Sequence, residues 1–320
     1  MAAGRCSVIR RIVSAVCCLR YVICRECWIV KRLAASIPHQ TPRMDRIDIG
    51  FHRTGTIRAA DFPITDDNHF MKPIEKPIIE LKNLLKRFKD QTAVDSINLA
   101  IAEGICFGLL GPNGAGKTTT LEMIEGITEP TSGQILYRGQ PRGDSFSEEI
   151  GIQLQHTTLL SFLTIRETLR VFSKLYRHSA DIDDILSLCS LSEIQKQYND
   201  KISGGQRQRL MLAISLINDP SLLFLDEPST GLDPQARQNL WAIIDTIKMQ
   251  RRTIILTTHA MKEAERLCDE IAIMDQGKII ARGDIPSLLK AHCFDASGNP
   301  LCEPNLENVF LRLTGRQLRE

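Results

Sequence analysis

Neither sign of charge dominates this chain: Lys and Arg together number 40 against 38 Asp and Glu, a net of +2 over 320 residues. It lacks the basic surplus with which proteins grip a phosphate backbone, so no nucleic acid is expected as a partner. Also missing is any run of eighteen apolar residues free of charge, which excludes a bilayer-spanning helix. The nearest approach, Ile12 to Val30, is interrupted by Arg20, Arg25 and Glu26. Regularly paired cysteines are absent too. Cys17, Cys18, Cys24 and Cys27 have the atoms to hold zinc but not the spacing of a structural site. What remains, 43% hydrophobic and 24% charged residues, suits a globular chain of one large or two modest domains.

The charge that is present is uneven. Residues 1–43 carry eight Lys and Arg against a single acid, Glu26. An Arg-rich, acid-poor head fits an organellar targeting segment, a membrane-surface helix, or upstream sequence read from a mis-set start. The last reading is preferred, with Met71 as the start and Met44 as a second possibility. Residues 1–70 are therefore expected to lie outside the folded part. Cys106, Cys189, Cys268, Cys293 and Cys302 sit in apolar surroundings and read as small buried hydrophobes.

Chemistry enters at Gly111. Cys106 to Leu110 is a short apolar run that reads as a buried strand, and Thr118 to Glu125 has the composition of a helix's first turns. Between them Gly111-Pro112-Asn113-Gly114-Ala115-Gly116-Lys117-Thr118 fits the phosphate-loop pattern in its strand-loop-helix context. The glycines let backbone N–H groups close around an anion, and the helix start aims its dipole at the same point. Lys117 can then reach the β- and γ-phosphates while the Thr118 hydroxyl ligates Mg²⁺.

Two more apolar runs complete the constellation. Leu222 to Leu225 has no polar alternation, as a parallel strand covered on both faces requires, and it ends in Asp226-Glu227. Carboxylates at that end of a buried strand lie where open α/β sheets bind ligands. Asp226 is placed to serve Mg²⁺, and Glu227 to polarise an attacking water. Thr253 to Thr258 is β-branched and apolar, and His259 follows it, where an imidazole beside Glu227 would contact the γ-phosphate or order the water.

Ile202-Ser203-Gly204-Gly205-Gln206, lying between the phosphate loop and Asp226, resembles the signature of the ATP-binding cassette family, with Ile where Leu is usual. The resemblance runs from about Ile78 onward. Its motifs come in the family's order: Phe88, the phosphate loop through Thr119, Gln155, the signature, Asp226-Glu227, Ser229 to Asp233, His259. It implies an α/β fold of the P-loop NTPase type, with a RecA-like parallel sheet core, an antiparallel β subdomain and an α-helical signature subdomain. It implies ATP stacked on Phe88 and held by Gly111 to Thr119, and Mg²⁺ at Thr118, Gln155 and Asp226. Glu227, His259 and Gln155 would act on the attacking water. Ser203, Gly204, Gly205 and Gln206 would act in trans on ATP bound to a second copy, and Ser229 to Asp233 would cross between the copies.

Ile78 to Leu81, Ala93 to Ile101 and Gln134 to Tyr137 are expected to form the antiparallel layer. Leu163 to Asn199 is expected to be helical, opened by the capping box Thr164-x-x-Glu167, with Ile165, Leu169, Phe172 and Leu175 packed inward. A cassette over residues 71–290 would leave 291–320 as a short extension ending in a helix. The segment Pro304 to Arg316 resembles the tail of ABC-2-type export subunits, which serve drug, antibiotic, lipid or polysaccharide efflux. Such a subunit would be an ATPase on the cytoplasmic face of the cell membrane, driving a separate integral permease. The alternative is a soluble ABC ATPase acting on ribosomes or DNA; those usually carry two cassettes or large insertions, and this chain has one uninterrupted cassette.

Overall fold

A computed structural model describes residues 77–89, 91–143, 145–153, 159–295 and 297–315. The basic head with its cysteines, the two alternative starts, Gln155 and Arg316 lie outside the described residues.

Strands β1 (Pro77–Phe88), β2 (Gln91–Ala102), β4 (Ser132–Tyr137) and β5 (Gln140–Pro141) form an antiparallel sheet in the order β2-β1-β4-β5. Leu81 pairs with Leu99 on one side and Ile135 on the other. The expected segments all fall in this sheet, each longer than its apolar pattern, because hydrogen bonding carries the ladder past the last buried side chain.

The second sheet contains β3 (Cys106–Leu110), β6 (Ile150–Gln153), β7 (Leu222–Asp226), β8 (Thr253–Thr258), β9 (Glu270–Asp275) and β10 (Lys278–Gly283), ordered β10-β9-β3-β8-β7-β6. It is parallel except for the β9–β10 hairpin. Every residue of β3, β7 and β8 is buried, which explains why their sequences show no alternation. Successive residues go to different cores. Leu223, Leu225, Ile254 and Leu256 pack on one face and Leu222, Phe224 and Ile255 on the other.

Helix α1 (Lys117–Glu125) joins the face shared with the antiparallel sheet, and the short α2 (Phe146–Glu149) precedes β6. The opposite face carries α3 (Ile165–Ser173), α4 (Ile182–Leu188), α5 (Gly204–Ser215), α6 (Pro234–Met249), α7 (Met261–Leu267), α8 (Ile285–Cys293) and α9 (Leu306–Thr314). The expected helical stretch 163–199 holds two helices and a 3-10 turn, Ser192–Ile194. Asp181 restarts the helix by accepting the Asp183 N–H, and Ser190 turns the chain at φ 53°. The Thr164 capping box is formed in both directions. Ile165 and Leu169 are buried and Phe172 packs against the same core. In α9, Leu306, Val309 and Phe310 are buried and Leu313 packs beside them, so the tail folds back on the body. Four of the five cysteines read as buried are so; Cys302 is partly exposed.

Candidate functional site

The phosphate loop gets its shape from close backbone approaches. A Cβ at Gly111 would stand 2.2 Å from the carbonyl oxygen of Met274. At Gly116, φ is +101° and a Cβ would meet the Ala93 carbonyl at 2.4 Å. Neither position admits a side chain. Gly116 is also the N-cap of α1 and offers no side-chain cap, so the N–H groups of the first turn are left for a ligand.

Lys117 is 4% exposed and donates to the carbonyls of Gly111 at 2.8 Å and Pro112 at 3.1 Å. Its ammonium lies 3.9 Å from Glu227. Burial lowers its pKa, opposed by the carboxylates of Glu227 and Asp226. Thr118 donates its hydroxyl to Asp226 Oδ1 at 3.2 Å, and Thr257 donates a second, shorter bond to the same oxygen. Burial pushes the Asp226 carboxyl up from its ordinary value, with these two hydroxyls pulling the other way.

Glu227 turns the chain out of β7 at φ 47°, a left-handed conformation that few non-glycine residues adopt. The turn is over-determined: its N–H bonds to Thr257 through both the carbonyl and the hydroxyl at 3.1 Å, and Thr230 donates to its Oε2 at 3.1 Å. His259 Nδ1 stands 3.1 Å from Oε1, too poorly aligned for a hydrogen bond. Two buried carboxylates, one lysine and a threonine hydroxyl converge. The surplus of hard oxygen donors fits Mg²⁺, which Thr118 and Asp226 would hold and which would supply positive charge to the site.

Other candidate residues stand apart from this cluster. Phe88 ends β1 with 49% of its surface exposed. Ser203 and Gln206 cap the start of α5 reciprocally: the Gln206 N–H reaches Ser203 Oγ at 3.2 Å and the Ser203 N–H reaches Gln206 Oε1 at 2.8 Å. Among the described residues no hydrogen bond or ion pair ties either to the phosphate loop. Gly205 abuts Ala236, where a Cβ would come to 2.8 Å. Asp233 caps α6 through the Ala236 N–H at 2.9 Å. Gln208 donates to the Pro228 carbonyl at 2.7 Å, linking α5 to the turn after Glu227.

Sequence reasoning passed over Thr257 and Thr230, which hold the two acids. The signal was present in Thr257, a polar residue closing an apolar strand directly before His259.

A buried strand, a glycine cradle at a helix start and an acid pair ending the neighbouring strand but one define a P-loop nucleoside triphosphatase. The family model for ABC transporters matches residues 94–230. The Nod factor export ATP-binding protein I of Burkholderia lata is 34% identical over 299 residues, covering 76% of this chain and 98% of the relative. A solved structure of an ATP binding subunit of an ABC transporter superposes with a TM-score of 0.65 at 26% identity, over 74% of this chain and 99% of its own. The cbiO1 protein of Clostridium perfringens, part of the ABC transporter complex cbiONQ, gives 0.60 at 26% identity, over 66% and 89%. The chain belongs to the ABC transporter ATP-binding family. It binds and hydrolyses ATP.

Proposed function

We propose that this chain is the motor subunit of an ABC-2-type export system, pairing head to tail with a second copy around two ATP molecules. The observation that carries this is the second helix start, Ser203-Gly204-Gly205, exposed or partly exposed and apart from its own phosphate loop. A site built to face an anion, without one from its own chain, is completed by a neighbour's γ-phosphate. Export as the task is supported by the relative named as an export ATP-binding protein. Nothing comparable supports the ribosome or DNA alternative.

In this reading Phe88 stacks on adenine, and the N–H groups from Gly111 to Thr119 with Lys117 hold the phosphates. Water attacks the γ-phosphorus, Glu227 takes its proton, and the bond to the bridging oxygen breaks to leave ADP and phosphate. His259 and Gln155 order the water. Thr118, Asp226 and Gln155 would hold Mg²⁺, which would supply charge to neutralise the phosphates. Gln206 fixes Ser203 for its role in trans.

The partner is an integral permease, met at the cytoplasmic face of the membrane. No helix among the described residues is long and apolar enough to cross one. Tyr198, 52% exposed, bridges to Thr164, two residues beyond Phe162, which is 61% exposed; these two rings form the contact surface. The cassette occupies 71–290, with 1–70 outside it and 291–320 as a terminal extension.

Light scattering during gel filtration tests the pairing. A Glu227→Gln chain is expected to become a dimer in saturating Mg-ATP, and adding Ser203→Arg returns it to a monomer. An E227Q chain that stays monomeric overturns the proposal. In the same preparations a Phe162→Ser, Tyr198→Ser chain should still dimerise but no longer co-purify with a permease.

The magnesium assignment has its own readout. A raised Asp226 pKa means that the neutral acid stabilises the ion-free fold fully below the ordinary value of 3.8. That contribution is lost as pH rises through the raised value. At pH 7 the charged form is therefore a cost that Mg²⁺ offsets. Asp226→Asn should raise the nucleotide-free melting temperature by about 2–4 °C per ~1 kcal/mol relieved. It should also remove the magnesium-dependent part of the rise that ATP gives. A wild-type magnesium response in thermal shift sinks the assignment.

A further inference from the structure

Beside the exposed ring of Phe88 stands Lys86. Its ammonium lies 4.8 Å from the ring centroid and donates to the carbonyl of Glu129 at 2.6 Å. Strand order places its tether. β2 flanks β1 on one edge, and Ala93 of β2 is the residue that touches Gly116 of the phosphate loop. Glu129 comes just before β4, which flanks β1 on the other edge. Lys86 is thus tethered on the β4 side of β1, and with its ammonium over the ring Phe88 still keeps 49% of its surface exposed.

A cation on one face of an aromatic ring draws π density towards itself. The opposite face then stacks better on an electron-rich planar partner. The tether to Glu129 also limits the freedom of Lys86, and the ammonium in turn restrains the ring, so less motion is lost when a base arrives.

We propose that Lys86 is a base-selecting residue: held by the Glu129 carbonyl, its ammonium backs the Phe88 ring and tightens the stacking of a purine on the ring's free face. This rests on the reading of Phe88 as the adenine platform, and the two separate by experiment. Affinities of the full chain are measured with Mg²⁺ for ATP, CTP and inorganic tripolyphosphate, which has no base. Lys86→Met should weaken ATP by about 2- to 5-fold, the worth of an exposed cation–π contact. Tripolyphosphate should be unchanged and the ATP-to-CTP ratio should narrow. Lys86→Arg, which keeps a cation, should restore the ratio.

Equal weakening of ATP and tripolyphosphate by K86M would reduce Lys86 to a general phosphate attraction and overturn the inference. So would an unchanged ATP affinity in K86M where Phe88→Ala weakens ATP. If Phe88→Ala itself leaves ATP affinity intact, the platform reading fails first and the role of Lys86 with it.

Discussion

Replacing Glu227 by Gln lowers ATP turnover by about 10²- to 10⁴-fold, the usual contribution of a positioned base, and leaves ATP binding in place. The size follows from what the substitution keeps. Glutamine has the same length, its side-chain oxygen still accepts the Thr230 hydroxyl, and its unbranched Cβ adds nothing to the cost of the left-handed turn. The backbone bonds to Thr257 do not involve the side chain at all. Only the capacity to take a proton is lost, so the loss belongs to the chemical step. Single-turnover and steady-state rates of phosphate release, alongside an equilibrium ATP titration, check this. A variant that hydrolyses ATP at the wild-type rate removes Glu227 from the role of base and leaves His259 as the group to examine.

Lys117→Ala acts on binding instead. Hydrogen bonds to charged groups are worth about 1.5–3 kcal/mol each, so losing the ammonium from the phosphate site weakens ATP by about 10- to 100-fold. The site suffers in a second way. Glu227 and Asp226 lose the ammonium beside them, and two buried carboxylates without it repel the incoming phosphates. An ATP titration reads the first effect directly. Unchanged affinity with lost turnover would move Lys117 from holding the ground state to stabilising the transition state.

The parts of this molecule that were legible in the sequence are those where one local rule decides the outcome. The runs at Cys106, Leu222 and Thr253, short, apolar and without alternation, read as strands buried on both faces, and they are the strands that carry the site. The loop at Gly111 and the Thr164 capping box are spelled out by residue type at fixed spacing. Ser203 and Gln206 follow the same capping pattern as Thr164 and Glu167, yet the signature drew the eye to phosphate and hid the helix cap.

What could not be read depends on neighbours distant in the chain. The left-handed turn at Glu227 is held by Thr257, thirty residues on. Glu125 would pass as an ordinary helix acid, but it is buried, and burial together with Asp226 and Glu122 keeps its carboxyl well above the usual range. The buried Glu263 carboxylate takes the Trp241 indole N–H at 3.1 Å, a pairing no spacing rule announces. The bond from Lys86 to the Glu129 carbonyl likewise joins residues forty-three apart.

The bonds from Lys117 to Gly111 and Pro112 have one more consequence. They run from the first residue of α1 back to the beginning of the loop, so the lysine braces its own cradle from inside. A guest phosphate then takes over a cation already held beside the loop. For a machine that loads and discards fuel at every stroke, such a brace keeps the refuelling step short.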